Sequence, residues 1–200
     1  MSFQLQRILL LLVAAAFAAP VWAQHGALTI PRNLDQLTDR ASVIVHGNIV
    51  STRFEKHPEL TGLDTVVVTL RVKETLKGEA GGNFTFRQYV WDIRERSKHS
   101  GYQKGQELLL LMIAPSRYGL SSPAGMNQGS FRIYRDHAGK DVAVNGNGNA
   151  RLFDGIPEQV VKTGVPLSPK SASLVAKHRK GPIAANDLLG LIRELVQRSQ

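Results

Sequence analysis

The chain has 200 residues, with 25 Lys and Arg, 16 Asp and Glu and no Cys, so its formal charge is +9. Without a thiol the protein has no cysteine nucleophile, thiolate zinc site, iron–sulfur cluster or disulfide. The excess of positive charge favours contact with polyanions such as nucleic acid, anionic lipid, lipopolysaccharide or acidic glycans. We favour the simpler interpretation that this is an ordinary basic exported protein.

The first 23 residues have the layout of a secretory signal. Arg7 supplies the positive charge, residues 8–19 are an uncharged apolar run, Pro20 ends that run, and residues 21–23 form a peptidase site. A membrane-spanning helix needs about 20 apolar residues, which is more than this run provides. We therefore expect cleavage after Ala23 and a single mature domain over residues 24–200. It is expected in the periplasm or outside the cell, with no stable membrane insertion after cleavage.

The first predicted element of the mature chain is a short helix. Asn33 and Gln36 have the spacing of a capping box, and Leu34 and Leu37 share the inner face of the helix. Alternating apolar residues predict strands at 43–52 and 65–76, and a third strand at 83–90 follows a Gly-Gly turn. In the first strand Val43, Val45, Gly47 and Ile49 are predicted to point the same way. Residues 91–105 are polar and basic, which predicts a long surface loop.

The second half begins with a leucine-rich segment, residues 106–113, which is apolar on both faces and predicts a central strand. Strands at 129–135 and 141–145 are predicted on either side of a turn. The Asn- and Gly-rich residues 145–149 predict a flexible stretch, and the proline-containing residues 155–182 predict an irregular wrap or arm. Asn186 is predicted to cap a last helix, whose apolar stripe comprises Leu188, Leu189, Ile192, Leu195 and Val196.

Together these elements predict a mainly β protein with flanking helices. The expected architecture is a small, five- to six-stranded, OB-type antiparallel barrel over about residues 38–145. An irregular arm at 146–183 and a C-terminal helix at 186–198 follow the barrel. Strand number and spacing leave a sandwich open as an alternative.

Several segments in this order carry a resemblance. They are residues 41–47 (ASVIVHG), a valine-rich strand that ends in Leu76-Lys77-Gly78, Gly105-Gln106-Glu107 before the leucine strand, and Gln128-Gly129-Ser130-Phe131. With the C-terminal helix they are similar to a widespread family of uncharacterised bacterial exported proteins. The barrel half also resembles the netrin-like, OB-type module of tissue inhibitors of metalloproteinases. In those inhibitors a free N-terminal cysteine chelates the target's metal. Here the mature chain is expected to begin at Gln24 and has no Cys, so no inhibitory residue carries over and the resemblance implies only a fold.

Two basic clusters are the candidate binding sites. An OB-type barrel with basic loops and exposed aromatic residues can bind glycans or single strands, and the alternative is that both clusters are solvated loops. The first cluster spans residues 87–99 and the second residues 170–180. The candidate ligand-binding residues are Arg87, Tyr89, Trp91, Arg94, Arg96, Lys98, Lys177, Arg179 and Lys180.

No catalytic or metal-binding signature stands out. The histidines lack zincin spacing, and there is no nucleophile elbow, P-loop or dinucleotide fingerprint. His46 is interpreted as a strand-surface or core-edge histidine. His57, between Glu55 and Glu59, fits a metal-binding loop or, as we favour, a solvated connector between strands. His25 and a free N-terminal amine could bind copper, unless Gln24 cyclises. We expect no metal and no cofactor.

The sequence thus predicts a non-catalytic binding or interaction module of the bacterial envelope. Its expected partner is an envelope protein or an anionic polymer, and nucleic acid is not expected. Two other hypotheses stay open. One is an inhibitor or accessory partner of an exported protease, suggested by fold analogy. The other is a metal-dependent enzyme built from histidines that are distant in the sequence.

Overall fold

Helix α1 (Leu34–Arg40) is the first element of the computed structural model, which describes residues 30–90, 101–157 and 165–198. The Oδ1 of Asn33 accepts a hydrogen bond from the Gln36 N–H at 2.9 Å, and the Oε1 of Gln36 accepts one from the Asn33 N–H at 3.2 Å. This reciprocal pair satisfies two backbone N–H groups at the start of the helix. Leu34 and Leu37 are fully buried, so the predicted capping box and inner face are confirmed. The predicted signal, residues 1–23, lies outside the described residues.

Seven strands form one sheet in the order β3-β2-β1-β4-β5-β6-β7, and each strand is antiparallel to its neighbours. The strands are β1 (Val43–Lys56), β2 (Asp64–Lys77), β3 (Asn83–Tyr89), β4 (Glu107–Met112), β5 (Ser130–Arg135), β6 (Asp141–Asn145) and β7 (Ile183–Ala184). With α1, the helices α2 (Pro169–Lys177) and α3 (Ala185–Arg198) flank the sheet. A mainly β fold with flanking helices and a C-terminal helix is therefore confirmed. The two-residue strand β7 is too short to produce a sequence pattern, and it was not predicted.

The predicted barrel fits only loosely, because strand pairing does not close the sheet. In the described part of the chain β3 and β7 are the two ends of the strand order and do not pair. An isolated bridge joins Arg87 of β3 to Leu120, in the loop after β4, and the Ser121 N–H donates to the Arg87 carbonyl at 2.8 Å. The edge strand β3 is thus tied to a loop. The strand at the other end, β7, offers only two residues, too few to close a ladder with β3.

Two hydrophobic clusters bury both faces of the central strands. The larger cluster lies on the side of the helices, where α1 and α3 pack against residues such as Ile44, Leu109 and Leu111. The smaller cluster lies on the other face and includes Val45 and Leu110 together with residues of β2 and β3. Strand β4 is buried on both faces, as its run of leucines predicted. The alternation in β1 predicted a single buried face. Ile44, on the opposite face, is also fully buried, so β1 contributes to both clusters.

Helix α2 lies within the segment that the sequence predicted as an irregular arm. Ser168 caps it, since its Oγ accepts a hydrogen bond from the Ser171 N–H at 3.3 Å, and Pro169 opens the helix. Proline suits the first helical position because its missing N–H has no helical partner there. Helix α3 begins at Ala185, one residue before the predicted cap Asn186, and all five apolar residues of its predicted stripe are buried.

Asn145, which ends β6, and Asn149 form a buried hydrogen-bond network, which differs from the flexible stretch predicted at 145–149. The Nδ2 of Asn149 donates to the carbonyls of Ala143 and Gly181, both at 2.9 Å. The Oδ1 of Asn145 accepts from the Asn149 N–H at 2.8 Å, and its Nδ2 donates to the Gln128 carbonyl at 3.0 Å. The network joins β6, the 3-10 turn at 126–129 and the residues before β7.

Candidate functional site

The two predicted basic clusters lie at opposite ends of the strand order. Arg87 and Tyr89 are on the edge strand β3, whereas Lys177 ends α2, and Arg179 and Lys180 lie between α2 and β7. Trp91, Arg94, Arg96 and Lys98 lie outside the described residues, so their predicted role stays a prediction. The described members of the two clusters therefore belong to different elements of the fold.

Arg87 is engaged within the protein. Its Nη2 lies 2.7 Å from a carboxylate oxygen of Glu55, and its Nη1 donates to the Thr65 hydroxyl at 2.9 Å. Thr65 in turn donates to the Glu55 carbonyl at 2.8 Å. Arg87 thereby ties β3 to the ends of β1 and β2, which is a structural role.

Tyr89 lies two residues further along β3, on the same face as Arg87. Its side chain is half-buried, and this burial raises the pKa of the Tyr89 phenol. The phenol therefore stays neutral at neutral pH. At this end of the sheet, the described candidate residues are therefore an arginine that is already ion-paired with Glu55 and an uncharged phenol.

The second cluster is built on helix α2 and the turn that follows it. Lys170, Ser173, Leu174 and Lys177 recur at helical spacing, which places them along one face. The buried residues Ser171 and Val175 belong to the inner side of the helix. Residues 165–186 include Lys170, Lys177, Arg179 and Lys180 and contain no Asp or Glu.

An open groove of about 490 Å³ runs along this face of α2. We call it the α2 groove, and its lining residues are Lys170, Ser173, Leu174, Lys177, His178 and Asp187. Asp187, from the first turn of α3, is its one acidic residue and pairs with the Lys170 ammonium at 2.5 Å. Lys177 is exposed and makes no ion pair with any described residue. The groove therefore keeps a net positive charge.

The turn after α2 adds two more cations. The Nη1 of Arg179 donates to the His178 carbonyl at 3.0 Å and to the Val175 carbonyl at 3.5 Å, where the helix leaves carbonyls without helical partners. Lys180 is exposed and, like Lys177, has no ion pair among residues 30–90, 101–157 and 165–198. Arg179 thus stabilises the end of α2, and the two lysines present charge to solvent.

His178 forms a neutral wall of the α2 groove. Its ring meets Phe153 edge to face, with centroids 5.7 Å apart. Burial lowers the pKa of His178, the neighbouring Arg179 lowers it further, and a backbone hydrogen bond involving Gly181 opposes them. The buried Nε2 has no hydrogen-bond partner in the described structure. The positive charge of the groove at neutral pH therefore comes from its lysines.

Helix α3 positions α2 through Glu194. The Glu194 carboxylate accepts hydrogen bonds from the Ser168 and Ser171 hydroxyls, both at 2.7 Å, and from the Ser168 N–H at 3.0 Å. These bonds join the carboxylate to the N-terminal turn of α2. The groove face is thus carried by a helix that is anchored at its start.

A second polar cluster joins β1, β2 and β4. The Nε2 of His46 lies 2.7 Å from one oxygen of Glu107, and the Lys73 ammonium lies 2.8 Å from the other. Burial raises the pKa of Glu107, but the hydrogen bonds and charges of Lys73 and His46 outweigh it, so the pKa lies below its usual value. The cluster holds an ionised carboxylate between partners on two other strands.

The segment around His57 connects β1 to β2 as predicted, and residues 58, 59, 61 and 62 are exposed, but the histidine itself differs from the prediction. His57 is buried, and its side chain hydrogen-bonds to three backbone groups, so this residue is not solvated. Glu55 pairs with Arg87, while Glu59 contributes its N–H to His57. Across the described ranges no three His, Asp or Glu side chains come together as a metal-binding group.

No protein-family model matches this sequence, and no curated protein matches it at a significant level. Among the described helices, none combines the length and apolar character that a bilayer crossing requires.

Part of the α2 groove could have been found from the sequence. The cap and proline of Ser168-Pro169 signal a helix start, and with that helix the spacing of Lys170, Ser173, Leu174 and Lys177 defines one face. Asp187 carries no such signal. It belongs to another helix, and only tertiary packing brings it to Lys170.

Proposed function

We propose that the protein is a non-catalytic binding module of the bacterial envelope that binds an anionic polymer through the α2 groove and the adjacent Lys180. The observation that carries the proposal is the charge of the groove, which contains two lysines and a single carboxylate. Opposite charges concentrate near such a surface, and contacts between exposed ions are weak singly but add along a polymer. The proposal that the protein is exported is based on the signal-like layout of residues 1–23. The proposed relation to bacterial exported proteins is based on the sequence motifs described under the sequence analysis.

The other described polar clusters support binding over catalysis. Glu55, Glu107 and Glu194 each hold neighbouring elements together, and His57 is committed to backbone groups. A nucleophile needs a base within hydrogen-bond reach and a third group that orients the base. In the described residues no serine or threonine hydroxyl is hydrogen-bonded to a histidine: His46 bonds to Glu107, and His57 bonds to backbone groups.

A polymer fits this surface better than a membrane does. Membrane-surface helices place large apolar side chains in the lipid, but Val175 of α2 is buried in the protein. The exposed large apolar residues of the described chain are spread over separate segments, and none of them belongs to α2. They are Ile30, Phe54, Tyr134 and Val165.

The test is binding of the mature chain, beginning at Gln24, to heparin as a sulfated probe and to dextran as a neutral control. We expect binding to heparin alone, with an affinity that falls as salt rises, because binding releases counterions. The variant K177Q/R179Q/K180Q should lose about tenfold or more in affinity, as expected from several exposed ion contacts together. Circular dichroism checks that the variant keeps its helices, since Arg179 contacts helical carbonyls.

Two results would overturn this function. Equal affinity for dextran and heparin would show that charge does not direct binding. Binding to vesicles of anionic phospholipid without binding to heparin would assign the surface to a membrane. Export is tested separately by the mass of the protein from the envelope fraction of its host, which should correspond to a chain starting at Gln24.

A further inference from the structure

We infer that Lys170 and Lys177 form a two-point site for the anionic groups of the ligand, and that Asp187 occupies the Lys170 point in the free protein. The inference rests on the proposed function and names the contacts that would carry it. In this inference Asp187, besides its place in the first turn of α3, competes with the ligand for the Lys170 ammonium. The ligand groups that fit are sulfate, phosphate or carboxylate, since each can replace a carboxylate at an ammonium group.

The spacing of the two lysines defines the site. They are seven residues apart on one helix, so their backbones lie roughly 10 Å apart along its axis at the ordinary helical rise. Between them the face carries the Ser173 hydroxyl and the half-buried Leu174. Two separate anionic groups on one chain can therefore be bound together, with an uncharged part of the ligand between them.

The ion pair between Lys170 and Asp187 is the reason for assigning competition. The Asp187 carboxylate is the single acidic group of the groove and lies on one of its two lysines. Lys177 has no such partner among the described residues. An incoming anion can thus bind Lys177 directly, but it must displace Asp187 to reach Lys170.

Single substitutions separate these two points. With heparin as the probe, K177Q and K170Q should each weaken binding, and D187N should strengthen it. The expected changes are about two- to fivefold, the size of one exposed ion pair. K104Q and E79Q are the matched controls, because Lys104 and Glu79 are exposed residues outside the groove. Losses as large for K104Q as for K177Q would overturn the site.

A double-mutant cycle distinguishes competition from simple repulsion. If Asp187 acts by occupying Lys170, the gain in affinity from D187N should largely disappear in the K170Q background. An equal gain in both backgrounds would show that Asp187 only repels the ligand, and would overturn the competitor role. Melting temperatures are compared alongside, since an acidic residue also stabilises the first turn of a helix.

A readout without polymer keeps this inference separate from the proposed function. Inorganic sulfate should shift the NMR signals of residues 170, 177 and 187, and D187N should lower the concentration required. A sulfate response at these residues without heparin binding would keep the two-point site and refute the polymer function. No response to either probe would refute both, and heparin binding with no effect of K170Q, K177Q or D187N would refute the site alone.

Discussion

At the scale of single residues, His57 joins two distant parts of the chain. Its Nδ1 accepts hydrogen bonds from the N–H groups of Glu59 at 3.1 Å and Leu60 at 3.0 Å, so the ring proton is on Nε2. Nε2–H donates to the Tyr118 carbonyl at 2.9 Å. The imidazole therefore links the β1–β2 connection to the loop after β4.

Removal of this link should be costly. We expect H57A to lower the free energy of unfolding by about 1–3 kcal/mol, because it leaves backbone polar groups without partners. H137A is the control: His137 is exposed in the β5–β6 turn, and its loss should stay within about 0.5 kcal/mol. Urea unfolding of both variants measures the difference. Equal small effects would show that the His57 hydrogen bonds contribute little.

Asn149 is a second buried residue whose substitution we expect to destabilise the protein. It is fully buried, and its backbone has a φ of 58°, a left-handed conformation that Asn tolerates better than Ala. We expect N149A to cost about 2–4 kcal/mol, from lost hydrogen bonds and from strain. N149G loses the same side-chain hydrogen bonds but avoids the backbone strain, so it should lower the stability less than N149A does. N149D should cost at least as much as N149A, since its carboxylate would face the carbonyls of Ala143 and Gly181. Thermal unfolding of the three variants tests this order.

The sequence predicted residue contacts where the partners are near each other in the chain. Asn33 and Gln36 are three residues apart, and their capping box follows from spacing alone. His57 and Tyr118 are 61 residues apart, and Asn149 reaches Gly181 across 32. Such contacts depend on tertiary packing, which no local pattern encodes. The basic character of the α2 groove was visible in the sequence for the same reason, whereas the position of Asp187 was not.

At the scale of elements, α2 depends on α3 through one carboxylate. Burial raises the pKa of Glu194, but hydrogen bonds from Ser168 and Ser171, with the charge of Arg198, outweigh it and leave the pKa below its usual value. The folded state then releases this proton more readily than the unfolded chain does. Glu194 thus contributes stability above its unfolded pKa of about 4.3, and that contribution is lost as pH falls through the lower folded pKa.

The variant E194Q tests this dependence. At neutral pH it should melt at a lower temperature than the wild type, because a neutral amide accepts weaker hydrogen bonds from the two serines. As pH falls through the acid range the two melting temperatures should converge, since the wild-type carboxylate becomes protonated. Q197A, on the exposed side of α3, serves as the control. A difference that stays constant with pH would show that ionisation of Glu194 is not involved.

Elements with a long periodic pattern were predicted well. The strands from β1 to β6 follow alternating or wholly apolar runs, and α3 follows its apolar stripe. Helix α2 was missed because the prolines of residues 155–182 were interpreted as a sign of irregular structure, although Pro169 occupies a position where proline favours a helix. Closure of the sheet could not be predicted, because it depends on which distant edges meet and not on any one strand's pattern.

At the scale of the whole molecule, the sheet separates two cores that depend on different parts of the chain. The smaller core is formed by strands of the first half and by β4. The larger core requires α3, because every buried residue of this helix belongs to that core. Arg193 of α3 adds a two-point ion pair with Glu74 of β2, at 2.8 and 2.7 Å. The end of the chain is therefore bound to its first half.

Loss of α3 should abolish cooperative folding. A chain ending at Ala184 would expose the apolar side chains of the larger core, and we expect it to bind a hydrophobic dye and to lose a sharp thermal transition. The milder variant I192A should remain folded and lose about 2–5 kcal/mol, the usual range for an isoleucine removed from a core. A truncated chain that unfolds as sharply as the full one would contradict this dependence.

The order of the elements also affects when the protein can fold. Because α3 completes the larger core, a chain that has been synthesised only as far as Ala184 cannot yet reach its stable state. For the proposed exported protein, this delay would keep the chain threadable while it crosses the membrane. The helix that completes the core would reach the far side after every other described strand and helix.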